Sequence, residues 1–558
     1  MASNGYDPQM GNSTEVKREP SEDDDSFDSD DGLVFTWIGG SKAADNVFVS
    51  LKAETIKEKL LEFADNAAEE LYEMAYSGSP LWILDDLGEE RLDREIYRNR
   101  FTPSIEHREE LVVEILRGAL DDPREIPSLM KPPTKPKIVE ASWATETVLM
   151  NPVELVHMFM DVEQWLAMFS NIVSSATVLG KILEDDQNPD GSLIAMKAEF
   201  GLPTPNPTKR ETYFLRRSKK VNDHVWLIVD ASLDITCLKY HRKPSGCLIE
   251  QMDDGFSRVT WVEHSERSNG YLHELFVKQI SSDFAFCASR WITTLKHEAE
   301  NQFVINQHIN AQGGGMSSLL RLAHRMSQRC VKNMNVKKNW NLIHSMDNAE
   351  PVYVIWHYFE NNLGTPDGHV ITMASSVRSF LSVDHLYDAL RCADFHPKWD
   401  LAVAGGFARK DLHVPMGNDP TTGVSVLNIE VPGMEPRKCL KACFTDSIGM
   451  YVVWTLLDIT TFYAMIEGGD PDAVPILVCG AAILPWDPIA VSEGSILTFS
   501  FEIQDEYEGS LSVEREESLN SLMTNTVSSV NALCTQLPGD EGYCHDGEEY
   551  LRLFDDHK

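Results

Sequence analysis

Residues 259–266 read VTWVEHSE, a stretch that is either half of an acid–base or metal site or one wall of a sheet. In an extended strand, successive side chains point to opposite faces. Val259, Trp261 and Glu263 then share one face, and Thr260, Val262, His264 and Glu266 share the other. The adjacent Glu263 and His264 point apart and cannot work as a pair. His264 and Glu266 do share a face, but two ligands at a strand end make a poor metal site. What remains is a strand with Trp261 turned inward and its polar residues looking outward or marking the strand's exit.

The stretch belongs to a series. From Ile138 come IVEASWATETVL, SLIAMKAEF, RETYFLR, VWLIVDASL, SGCLIEQM and FSRVTWVEH, separated by turn residues. Asp253-Asp254-Gly255, between the last two, is a hairpin signal. Ile280, Phe284, Cys287, Trp291, Leu295 and Ala299 form one stripe, which predicts a long helix over about 282–303. Upstream, Ile56, Leu60, Phe63, Ala67, Leu71 and Met74 recur at helical spacing until Gly78 and Pro80, and PSIEHREELVVEILRGAL predicts a second helix. This is an α+β layout in which a curved antiparallel sheet wraps a long C-terminal helix.

The layout occurs twice. IVEASWATETVLMNPVELVHMFMDVEQW ends at Trp165, and HVITMASSVRSFLSVDHLYDALRCADFHPKW ends at Trp399, 234 positions later. Each has an alternating strand, a short helix, an Asp and then a Trp. SLNSLMTNTVSSVNALCTQL (518–537) matches the first unit's closing helix at nearly the same offset. Two ends that agree on one offset indicate a duplicated fold.

Around these units the composition is acidic. The formal charge of −38 opposes contact with a phosphate backbone. The first 32 residues carry ten acidic groups against two basic ones, the mark of a solvated tail. Within it, Val16-Lys17-Arg18-Glu19 fits a SUMO-acceptor pattern at Lys17. Ser21, Ser26 and Ser29 precede acids, as acid-directed kinases prefer. The N-terminus lacks the apolar core of a secretory signal, and the apolar run AVPILVCGAAILPW (473–486) is too short to span a bilayer and reads as a buried strand pair. The ten scattered cysteines read as reduced thiols.

From Asn301 to Met346 there is no acidic residue. There Arg321, Arg325 and Arg329 recur every four positions opposite an apolar face of Leu319, Leu322, Met326 and Cys330, as a solvated face with its apolar side docked or as a docking surface for acidic groups. The chain thus divides into an acidic tail (1–45), a first unit (46–306), a linker with a basic helix (307–346), a second unit (347–537) and an acidic C-terminal tail (538–558).

MNPVELVHMFMDVEQWLAMFSNIV, KAEFGLPTPNPTKRETYFLR, KPSGCLIEQMDDGFSRVTWVEH and FAFCASRWITTLKHEAE resemble the START domain of plant class IV homeodomain–leucine-zipper transcription factors. LLRLAHRMSQ, WDLAVAGG, MIEGGD, AAILPW and GSILTFSFEI resemble the region that follows START in the same family. The resemblance implies a helix-grip fold around an apolar tunnel for one lipid or sterol, a nuclear protein working with other transcription regulators, and no cofactor, metal or transmembrane segment. The family places a homeodomain and a zipper before START. The first 50 residues here contain no basic recognition helix and no Leu heptads, so direct sequence-specific DNA binding is not expected from this chain.

On RETYFLR, alternation places Arg210, Thr212, Phe214 and Arg216 on one face. By resemblance to cholesterol-carrying START proteins, Arg216 is the tunnel arginine. Glu199 is expected as its counter-charge, since an unpaired buried Arg would cost several kcal/mol. Trp226, Trp261, Phe284 and Trp291 complete the expected ligand-binding set. No nucleophile elbow, His-Glu-x-x-His or phosphate loop appears, so an enzyme is not expected. A lipid-binding regulator is the leading reading, and a soluble intracellular lipid-transfer protein is the alternative.

Overall fold

A computed structural model describes residues 54–536 apart from 85–89, 120–136, 184–187, 207, 234, 236–238, 269–271, 310–313, 336–339, 344–350, 418, 420, 491–493 and 506–512. Both acidic tails, with Lys17, Ser21, Ser26 and Ser29, lie outside the described residues.

The first unit opens with two long helices, α1 (Glu54–Tyr76) and α2 (Arg94–Ala119), flanking the short strands β1 (Trp82–Leu84) and β2 (Glu90–Leu92). Next come β3 (Ile138–Val148), helices α3 (Pro152–Met160) and α4 (Val162–Met168), and strands β4 (Val173–Leu183), β5 (Leu193–Phe200), β6 (Arg210–Asn222), β7 (Val225–Ala231), β8 (Tyr240–Arg242), β9 (Ser245–Gln251) and β10 (Ser257–Arg267). Helices α5 (Val277–Ser281) and α6 (Ala288–Ile309) close the unit. The strands form one antiparallel sheet in the order β1-β2-β3-β10-β9-β7-β6-β5-β4, with β8 paired to β10.

The second unit repeats this order. After α7 (Gly315–Met334), strands β11 (Asn341–Ile343), β12 (Val352–Phe359) and β13 (Gly368–Ser379) lead to helices α8 (Val383–Arg391) and α9 (His396–Trp399). Strands β14 (Phe407–Pro415), β15 (Gly423–Glu430), β16 (Arg437–Asp446) and β17 (Gly449–Leu457) follow, then α10 (Ile459–Ile466), β18 (Cys479–Pro485), β19 (Ser495–Asp505) and α11 (Val513–Gln536). Their sheet runs β11-β12-β13-β19-β18-β17-β16-β15-β14, the same path as the first.

Strand parity sets the layers. On β5 and β6, Ile194, Met196, Ala198, Phe200 and Phe214 join the core under α3, α4 and α6. Leu193, Ala195, Tyr213 and Leu215 join the opposite core, against Leu60, Phe63, Leu71 and Leu116 of α1 and α2. The second sheet is likewise covered on both faces: α8, α9 and α11 pack on one, while α7 packs on the other and merges with the first unit's inner core. Two glycines permit close approaches. A Cβ at Gly246, at φ +137°, would lie 2.1 Å from the Ile228 carbonyl oxygen, and one at Gly315 would lie 1.7 Å from that of Ile466.

Three expectations are corrected. The closing helix begins at Ala288, because Asp283 takes a left-handed φ of 61° that no helix continues through, so Ile280 and Phe284 precede it. It also runs on to Ile309, into the expected linker. The basic helix α7 docks its apolar side of Leu319, Leu322, Met326 and Cys330 as expected, but its basic face is not all solvated: Arg325 donates to the carbonyls of Asp472 and Val474, and Arg329 pairs with Glu502 at 2.8 Å. Finally, 473–486 contributes one strand, β18, not two.

The units meet along a polar seam. Thr204, in the β5–β6 loop, shares a 2.8 Å hydrogen bond with Ser376, which shares one of 2.7 Å with Thr498. Lys278 pairs with Asp487 at 2.7 Å.

Candidate functional site

Between the first sheet and α6 lies a stack of three tryptophans. Trp291 of α6 stacks on Trp261 of β10 with ring centroids 5.2 Å apart and planes 8° off parallel, and on Trp165 of α4 at 6.3 Å and 9°. Phe200 meets Trp291 edge-on at 5.3 Å, and Phe214 meets Trp165 at 6.4 Å. Trp261 is opposite Cys247 and Ala144 in the ladder, which fixes it at mid-sheet.

Charges run through this aromatic interior. Arg216 lies directly opposite Asp230 of β7 and grips it with both edges, Nε to Oδ1 at 2.7 Å and Nη2 to Oδ2 at 2.9 Å. Its Nη1 donates to the Phe159 carbonyl at 2.9 Å, near the C-terminal end of α3 where carbonyls lack helical partners. Its guanidinium also lies 4.1 Å from the Trp165 ring. Arg242 donates to Glu263 at 2.8 Å and approaches Asp230 at 3.3 Å. Burial pushes the Glu263 carboxyl up to about 7 against the pull of Arg242.

Four donors in the same interior, Trp165 Nε1, Thr212 Oγ1, Arg242 Nε and Trp291 Nε1, are buried without a hydrogen-bond partner. Such groups in native proteins are met by water or a ligand, and leaving one unmet costs about 1–3 kcal/mol.

The structure brings Arg216, Phe214, Trp261 and Trp291 together, and Glu199 does not join them. Glu199 has the parity of the outer face, lies opposite Glu211, and pairs with Lys209 at 2.6 Å. The counter-charge of Arg216 is Asp230, legible as the one acid in the apolar run VWLIVDA. Arg242 and Glu263 were also missed; Glu263 shares the inward face with Trp261 by the same alternation that placed the tryptophan. Its neighbour His264 points to the outer face, edge-on to Tyr97 at 4.9 Å.

Arg210 stands apart from the Arg216 network. It joins Arg267 around Glu140, with its guanidinium 3.9 Å from the Phe286 ring. Burial opposes the charge on Glu140, but the two arginines prevail and hold its carboxyl below the usual range. Trp226 is buried in the same core near the start of β7, 6.0 Å from Lys220, and Phe284 is half-buried on the turn before α6. A cleft of about 620 Å³, open solvent included, lies between α6, α7 and the second sheet, beside the 2.5 Å His324–Glu298 pair.

The second unit has its own buried cluster. His396 Nε2 meets Asp400 Oδ2 at 3.1 Å and Cys439 Sγ at 3.9 Å. This resembles a Cys-His-Asp triad in content but not in wiring, since one ring nitrogen faces both partners and no relay through the imidazole is possible. Burial also pushes the Cys439 thiol up to about 12. Among the described residues, no group of three or more His, Cys, Asp or Glu is placed to hold a metal, and no helix is long and apolar enough to cross a membrane.

The START domain family matches residues 62–301, and the PDF2-like, C-terminal domain family matches residues 313–535. Along most of its length the chain is similar to homeobox-leucine zipper proteins. It is 29% identical to the homeobox-leucine zipper protein ANTHOCYANINLESS 2 of Arabidopsis thaliana, over 85% of this chain and 60% of that one. It is 30% identical to HDG3 of the same plant (86% and 65%) and 28% to ROC4 of Oryza sativa subsp. japonica (85% and 61%). The chain therefore spans about three-fifths of the length of these relatives. Among solved structures it is similar to human STARD10 (17% identity, 36% of this chain and 76% of that one, TM-score 0.23) and to human StAR-related lipid transfer protein 5 (12%, 40% and 98%, 0.25).

Proposed function

We propose that this chain binds one lipid or sterol inside its START domain and acts in the nucleus as a regulator of transcription, in company with other transcription regulators. The observation that carries the ligand reading is the set of four unpartnered donors in an otherwise apolar, aromatic interior. A molecule with an apolar body and an oxygen-bearing head would satisfy them where the protein does not. The regulatory half rests on the kinship with homeobox–leucine zipper proteins. Binding is favoured over catalysis, because the interior's carboxylates, Asp230 and Glu263, are taken up by arginines.

A loading assay tests the ligand half. Delipidated protein is incubated with vesicles of mixed phospholipid and sterol, re-isolated and extracted. About one lipid per chain is expected, and bare protein would contradict the reading. For the regulatory half, the tagged chain is expected in nuclear fractions and to change a reporter's output when tethered upstream of it; a chain confined to organelle membranes, or inert when tethered, would contradict it.

A further inference from the structure

The second unit repeats one feature of the START interior and alters it in a telling way. In the first unit the Arg216 guanidinium lies 4.1 Å from the Trp165 ring; in the second, the Lys441 ammonium lies 5.5 Å from the Trp399 ring. Trp165 and Trp399 end the same strand–helix pattern, and β6 and β16, which carry the two cations, hold the same place in the two strand orders.

The difference is the counter-ion. Arg216 is neutralised by Asp230. Lys441 is 1% exposed and donates to the Leu390 carbonyl at 2.9 Å, but among the described residues it has no carboxylate within ion-pair distance. Asp400 is turned instead to His396 and to the Trp454 indole N–H, at 3.1 and 3.0 Å. Trp399 Nε1 and His396 Nδ1 are buried without partners. Burial disfavours the Lys441 ammonium and outweighs the favourable pull of Cys439, Cys443, Cys392 and Asp400, so its pKa lies below the usual lysine value. Apart from Asp400, His396 and the nearby cysteines, this core is apolar and includes Leu386, Trp454 and Phe499. Helix α11 rests mainly on α8 and α9, whereas α6 lies along β3 and β10, so the second interior is less tightly gripped.

We propose that the interior of the second unit is a separate ligand site for an apolar molecule with a carboxylate head, a long-chain fatty acid by class. Its oxygens accept from the Lys441 ammonium and the Trp399 indole N–H, and its tail lies among the apolar residues facing α11. The site is independent of the START interior and stands whether or not that one is loaded.

The test titrates the full chain with oleate, methyl oleate and oleyl alcohol, following melting temperature, with hydrogen exchange to locate the contact. Oleate is expected to bind at least about ten-fold more tightly than its ester or alcohol and to protect peptides of 383–457. Lys441→Met keeps the volume and breaks no ion pair. It is expected to fold as well as the parent when no ligand is present and to lose at least about ten-fold in oleate affinity. Trp399→Phe, which removes only the indole donor and some bulk, is expected to weaken oleate several-fold and keeps the test open if Lys441→Met does not fold. Equal affinity for acid and ester, wild-type affinity in Lys441→Met, protection confined to 138–305, or no binding would each overturn the proposal.

Discussion

Arg216 is 2% exposed and meets Asp230, Phe159 and the Trp165 ring at once, so its removal strands a buried carboxylate. Arg216→Met is expected to destabilise the chain by about 3–5 kcal/mol in chemical denaturation. Adding Asp230→Leu should restore much of that loss; strictly additive losses would show that the pair is not coupled. A second prediction concerns pH. Burial depresses His264 to about 3, below the roughly 6.5 of an unfolded imidazole. Its neutral form is held in the fold, so the stability it contributes is present above about pH 6.5 and is lost as pH falls toward 3. The slope is about 1.4 kcal/mol per pH unit. His264→Phe is expected to flatten the acid limb by about that amount between pH 6 and 4, and an unchanged limb would refute it. At this scale the sequence was half legible. Parity placed Arg216, Phe214 and Trp261 inward, and the same parity turns Glu199 outward. Asp230 required the pairing of β6 with β7, which no single strand reveals.

Helix α7 shows how an element's chemistry depends on what covers it. Its arginine spacing was plain in the sequence, but whether those arginines met solvent or protein was not, because the partners Asp472, Val474 and Glu502 lie more than 140 residues away. Glu502 is buried, receives Arg329, Asn333 and the Val478 N–H, and would be left short of its cation by Arg329→Met. That change is expected to cost about 2–4 kcal/mol, whereas Arg321→Ala on the exposed side should stay within about 0.5 kcal/mol. Equal effects on thermal stability would restore the reading of α7 as a free basic face. The six strands read from alternation recur as β3, β5, β6, β7, β9 and β10, since alternation is a local signal, but β4 (Val173–Leu183) was missed. The start of α6 was missed too, because the apolar stripe runs unbroken across Asp283 and only the backbone there departs from the helix.

Across the whole molecule, the two units share a core that continues from the START interior through α6 and α7 to the second sheet. Hydroxyls of Thr204, Ser376 and Thr498 join the units at the seam. Equilibrium denaturation is therefore expected to give one cooperative transition for tryptophan fluorescence and for far-UV dichroism alike. Two separated transitions would mean that the units are held only loosely. The duplication itself was legible, since the tryptophans recur 234 positions apart and the closing helices, starting at Ala288 and Val513, follow at the similar offset of 225. The seam was not, because polar residues such as Thr204 and Ser376 carry no local sign of a distant partner. The central claim is that the START interior holds a ligand, and native mass spectrometry of the full chain as purified, followed by organic extraction, tests it most directly. One bound lipid or sterol per START domain, lost on extraction and identified in the extract, is predicted. A chain that flies at its bare mass after expression in several unrelated hosts would contradict the account.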